Sequence, residues 1–111
     1  MNKTYRVSLG VQEAANVIDS AVVGGSFTGE CLDRYEIAAP SGTCVVLVFE
    51  KYYGRVGNRL TLTVVIDNFG DATRIHCVSG GGGQSVLFKF DWGASGSFSA
   101  VVERALAPYL V

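Results

Sequence analysis

The sequence predicts an α+β domain in the order β-α-β-β-β-β-α, an antiparallel meander sheet with two helices packed on one face. Three observations predict it. Residues 11–22 and 98–109 repeat apolar side chains at three- and four-residue spacing, the pattern of a helix with one buried face. Between them the period drops to two, the pattern of strands. The breaks between those strands are short and rich in Gly, Asn, Asp and Pro, which favours antiparallel neighbours over long crossovers.

Taken in order, Tyr5, Val7 and Leu9 alternate with Arg6 and Ser8 in a first strand that Gly10 ends. Val11, Ala14, Ala15, Ile18, Ala21 and Val22 form the stripe of the first helix, with Glu13 at its positive end and Gly24-Gly25 as its stop. Strands follow at 27–38, with Gly29 as a candidate bulge, and at 43–53, 59–67 and 72–78. The turns between them are Pro40-Ser41-Gly42, the 54–58 loop, and Asn68-Phe69-Gly70-Asp71. Residues 85–91 alternate as a further strand or a short helix. Ser97 can cap a closing helix striped by Phe98, Val101, Val102, Ala105, Leu106 and Tyr109, whose last turn Pro108 should shorten or distort.

Composition bounds the function. The chain has 111 residues, the size of a single domain. Hydrophobic residues at 49% against charged residues at 17% exclude intrinsic disorder, because such a chain can bury enough apolar area to offset its ordering entropy. A net charge of −1 gives no global field to hold phosphate backbones, which argues against a nucleic-acid binder. The longest apolar run, 44–49, is far shorter than the roughly 18 residues of a membrane span, and no signal-peptide pattern opens the sequence. Three widely spaced cysteines, Cys31, Cys44 and Cys77, do not form a disulfide framework, so the expected setting is the cytoplasm, with reduced thiols acting as small buried hydrophobes.

Geometry then demands something of the sheet. Two helices each about 10 Å wide cover most of one face of a sheet whose strands are about 4.8 Å apart, and leave the other face open. Central strands should therefore alternate apolar and polar. Residues 59–67 do, with Leu60, Leu62, Val64 and Ile66 on one side. Residues 43–53 are apolar on both sides, with Val45, Leu47 and Phe49 opposed by Cys44, Val46, Val48 and Tyr52. The second apolar set calls for a cover, and the simplest is a second copy across a two-fold axis.

Phe49-Glu50-Lys51-Tyr52-Tyr53, Gly57-Asn58-Arg59 running into Leu60-Thr61-Leu62-Thr63, Ser79-Gly80-Gly81, Phe88-Lys89-Phe90 and Ala105-Leu106-Ala107-Pro108-Tyr109 resemble a family of short uncharacterised bacterial proteins, a domain of unknown function. The resemblance covers most of the chain and implies no catalytic residue. The element order also resembles TATA-box-binding-protein-like and helix-grip architectures, which implies a small apolar ligand enclosed between a helix and a curved sheet. Phe88, Trp92, Phe98 and Tyr109 would line that pocket.

The candidates for chemistry are few. Gly80, Gly81, Gly82 and Gly83 could present backbone N–H groups to an anion, yet Gln84-Ser85 stands where a phosphate loop needs Lys followed by Ser or Thr. His76 and Cys77 are strand neighbours and point to opposite faces, so they cannot act as base and nucleophile together. No paired-cysteine spacing supports a metal site. Glu30, Asp33, Glu36 and Glu50 interleave with Arg34, Lys51, Arg59, Arg74 and Lys89, the pattern of cross-strand pairs on a wet face. The sequence therefore reads as a homodimeric binding domain without cofactor or metal, rather than an enzyme. The competing readings are an apolar-ligand carrier and an enzyme with an anion loop beside His76.

Overall fold

A computed structural model describes residues 2–24, 29–53, 58–81 and 98–111. The elements are β1 (Asn2–Val7), α1 (Val11–Gly24), β2 (Gly29–Ala39), β3 (Gly42–Tyr53), β4 (Asn58–Asp67), β5 (Thr73–Gly81) and α2 (Phe98–Leu106), followed by a 3-10 turn over Ala107–Tyr109. The α+β order expected from the periodicity is the order observed. The stretch 85–91 lies outside the described residues.

Five strands form one antiparallel sheet in the order β1-β5-β4-β3-β2. The chain meanders from β2 to β5, and β1 closes the far edge beside β5. The first helix therefore has to carry the chain from one edge of the sheet to the other. Its backbone is secured at the start, where Gly10 O accepts from Ala14 N at 2.9 Å and Glu13 Oε1 reaches back to Gly10 N at 3.0 Å. Ala14, Ala15, Ile18 and Val22 have no exposed surface. Two small alanines side by side let α1 approach its neighbours closely.

The core forms between the two helices and one face of the sheet. Val45, Leu47 and Phe49 of β3, Leu62, Val64 and Ile66 of β4, Ile75 and Cys77 of β5, and Tyr5 and Val7 of β1 meet α1 and the Val101, Val102 and Leu106 side of α2 in one cluster. Pro108 acts on α2 as expected. The α-helix stops at Leu106 and the chain tightens into the 3-10 turn, where a proline needs no N–H partner.

Several boundaries differ from the sequence reading. The first strand is Asn2–Val7, not 5–9, because its ladder with β5 runs from Asn2 opposite Val78 to Val7 opposite Thr73. The bulge in β2 falls between Cys31 and Asp33, not at Gly29. The fifth strand continues past Val78 through Ser79 to Gly81, paired with Leu62, Thr61 and Leu60. A glycine run weakens a strand but does not end one whose neighbour offers a continuous ladder.

The Pro40-Ser41 hairpin depends on Gly42, whose φ is +156°. A Cβ there would sit 2.6 Å from Asn68 Oδ1 and 2.7 Å from Phe69 Cδ1. That close approach lets Asn68 Oδ1 accept from Thr43 N at 2.8 Å, tying the β4–β5 turn to the start of β3. Gly42→Ala should destabilise the fold by about 1–3 kcal/mol in urea unfolding. Gly70→Ala, where a Cβ meets nothing within 4 Å, should change it far less.

Candidate functional site

Strand alternation places Cys44, Val46 and Val48 on the face of β3 opposite the core, as the spacing requires. Register then decides what stands beside them. One row across this reverse face reads Ile37, Cys44, Asp67, Arg74, Arg6. The next reads Tyr35, Val46, Val65, His76, Thr4, and the third Asp33, Val48, Thr63, Val78, Asn2. The face is thus divided lengthwise. Its β2–β3 side is apolar apart from Asp33, with Tyr35 58% and Ile37 46% exposed and Cys44, Val46 and Val48 half-buried. Its β4–β1 side is largely polar.

Several groups of the polar side are paired within it. Arg74 donates to Asp67 Oδ1 from Nη2 at 2.9 Å and from Nε at 3.2 Å. Thr4 Oγ1 and His76 Nδ1 are 2.7 Å apart. Arg59 Nη1 reaches diagonally across the strands to Glu50 Oε2 at 3.1 Å and pairs with a carboxylate that is almost wholly buried. Of these, only Arg59–Glu50 joins two of the interleaved charges expected to pair across strands, and its carboxylate is buried rather than on a wet face. Among the described residues no element packs on this face; α1 and α2 both belong to the opposite side.

The other sequence-predicted residues are not brought together in this way. Tyr52 belongs to β3 and Phe98 to α2, but their side chains are outside the described set, as are Phe88, Trp92, Gly82 and Gly83 altogether. Tyr109 is half-buried against the core. The described seam between α2 and the sheet is filled by Val101, Val102 and Leu106, which are buried. Gly80 and Gly81 are strand residues of β5 rather than loop residues, so the β4 ladder engages part of the backbone that the anion-site idea needed. A cleft of about 580 Å³ lies at the end of the sheet between Val7, Ser8, Leu9, Asn68, Thr73 and Val111.

The cysteines separate by environment. Only Cys77 is a buried hydrophobe, and burial pushes its thiol up to about 12. Cys44 is half-buried and Cys31 exposed, contrary to the expectation for all three, because Cys31 stands on the open edge strand and Cys44 on the reverse face. Desolvation raises the Cys31 and Cys44 thiols as well. Among the described residues, no group of three His, Cys, Asp or Glu side chains is placed to hold a metal ion. No described helix is long and apolar enough to cross a membrane.

Two features escaped the sequence reading. Tyr35 and Ile37 join the apolar side of the reverse face, which only the β2–β3 register reveals. Arg34 and Glu36 turn to the helix side of β2. There Arg34 donates to Asn16 Oδ1 at 2.9 Å and Gln12 Oε1 at 2.6 Å, and Gln12 Nε2 donates to Glu36 at 2.8 Å. Polar residues on the outward side of α1 were visible in its stripe, but not their partners.

Residues 1–110 match a family model whose description is "Family of unknown function (DUF6054)". The chain belongs to that family. Membership agrees with the resemblance carried by the strand and C-terminal motifs. No curated protein matches the chain, and no solved structure does either, so the likeness to TATA-box-binding-protein-like and helix-grip folds has no structural counterpart.

The thiol environments fix a labelling order. At pH 8 a thiol reagent should modify Cys31 first and leave Cys77 untouched until the protein unfolds. The Cys77 thiol ionises near 12 in the native state but at an ordinary 9.0 when unfolded. Its contribution is therefore intact below pH 9 and declines as pH rises toward 12. The urea midpoint should fall across that range, and less so in Cys77→Ala.

Proposed function

We propose that this chain is a non-enzymatic binding domain that acts as a homodimer in the cytoplasm, with the apolar side of the reverse face as its contact surface. The observation that carries this reading is the contiguous set Tyr35, Ile37, Cys44, Val46 and Val48, aligned by register on a face that no described element covers. Scattered exposed apolar residues are ordinary; a contiguous patch beside a polar border is the arrangement of an interface.

Size supports the same reading. Five strands at about 4.8 Å and about ten residues at roughly 3.3 Å give a face of roughly 24 by 33 Å, about 800 Å². A standard interface takes about 800 Å² from each partner, so two copies would use most of the face. The apolar sides would meet over β2 and β3, and the Asp67–Arg74 and Thr4–His76 pairs would form a wet border toward β1. Three unpaired thiols agree with a reducing compartment.

Sedimentation equilibrium from about 1 to 100 μM tests this reading. The wild-type protein should be dimeric within that range. Val46→Asp, which buries a carboxylate in the contact, should weaken association at least about tenfold, or about 1.4 kcal/mol. A protein that stays monomeric at tens of micromolar contradicts the proposal.

A further inference from the structure

The two edges of the sheet are finished differently. Beside β1, the C-terminal segment lies along the outer edge: Ser8 N donates to Tyr109 O at 2.8 Å, Val111 N donates to Arg6 O at 3.1 Å, and Val7 bridges Leu110. At the other edge, β2 has eleven residues, and every one after Gly29 is exposed. Sheet edges are commonly blunted by Lys, Pro, short length or a bulge. From Asp33 to Ala39 this edge has none of these, since the bulge lies before Asp33 and the proline after Ala39, and its remaining guard is the charge of Asp33, Arg34 and Glu36.

We infer that β2 pairs antiparallel with β2 of a second copy, with the two-fold axis at Tyr35, so that two sheets continue as one. This goes beyond the reverse-face reading and rests on the backbone edge of β2 and the charges of Arg34 and Glu36, although Tyr35 belongs to both surfaces. A two-fold perpendicular to a sheet keeps each face on its own side, so it must pass through a residue position. Three registers pair five or more residues of the straight part of β2, centred on Tyr35, Glu36 or Ile37. Centring on Glu36 sets Glu36 against itself, and like charges directly opposite are destabilising; centring on Ile37 sets Glu36 against Ala38 and gives neither Arg34 nor Glu36 an opposite charge across the seam. Centring on Tyr35 sets Arg34 against the second copy's Glu36 and Glu36 against its Arg34. It also sets the two Tyr35 rings opposite one another.

The charges are ready for that arrangement. Arg34 uses Nη1 on Asn16, Nη2 on Gln12 and Nε toward Glu36, 3.5 Å away. A guanidinium has five N–H donors, so two remain for a facing carboxylate. The contacts to α1 hold the side chain on the helix side, where the facing Glu36 would stand. A charged edge ordinarily repels another strand, but this edge is complementary to its own two-fold image.

The test reads association and register separately. Arg34→Glu should weaken the edge contact at least about tenfold, because it places Glu against Glu36, and the double exchange Arg34→Glu with Glu36→Arg should restore it. With Cys31 and Cys44 replaced by Ser, Tyr35→Cys should give a disulfide-linked dimer on mild oxidation, since residues facing each other across a two-fold come within disulfide reach. Circular dichroism confirms that each variant is folded. Association indifferent to Arg34→Glu, an exchange that fails to restore it, or no crosslink at Tyr35→Cys overturns the inference. Loss of association in Val46→Asp, with no effect of Arg34→Glu, removes the edge contact and leaves the reverse-face dimer standing. Association and crosslinking that both persist unchanged in Val46→Asp remove the reverse-face contact and leave the edge contact standing.

Discussion

Everything in this fold follows from placing both helices on one face of a single sheet. The first helix must carry the chain from β1 at one edge to β2 at the other, so it has to lie across the sheet. Ala14, Ala15 and Ile18 make that crossing close, with α2 packed alongside on the Val101, Val102 and Leu106 side. The apolar alternates of β3, β4 and β5 are consumed by this one layer. The remaining alternates have no described cover, and their composition is decided by what solvent or a partner will tolerate.

The reverse face meets that condition in two ways. Toward β1 it is largely polar, with Asp67 paired to Arg74 and Thr4 to His76. Exposed pairs of this kind contribute little stability, but they keep the surface wet. Toward β2 the same face carries Tyr35, Ile37, Val46 and Val48, which neither pair nor hydrate well. The edges show the same polarity. The C-terminal segment finishes β1, while β2 is left open. The apolar strip and the open edge share one strand, so the unfinished part of the molecule is concentrated on β2 and β3.

Most of the architecture was legible because it is written in periodicity. The 3.6-residue stripes of α1 and α2 and the two-residue alternation of β4 need no tertiary information. The apolar second face of β3 was equally visible from Cys44, Val46 and Val48. What could not be read was pairing. The position of β1 beside β5, the continuation of β5 through Gly80 and Gly81, and the bulge at Leu32 depend on which backbone groups find ladder partners. Local pattern says nothing about that. For the same reason Tyr35 and Ile37 were not recognised as neighbours of Val46 and Cys44. The cysteines illustrate a different limit: their shared chemistry suggested shared burial, yet an edge strand exposed Cys31 and the reverse face half-exposed Cys44.

Hydrogen exchange measured as a function of protein concentration tests the central claim most directly, since it reads backbone protection strand by strand. If the bare side of a one-sided core is completed by a second copy, amides of β2 and β3 should exchange more slowly at about 100 μM than at about 1 μM, a range that spans ordinary dimer affinities. Those of β1, already finished by the C-terminal segment, should not change. Exchange in β2 and β3 that is identical at both concentrations would contradict the account.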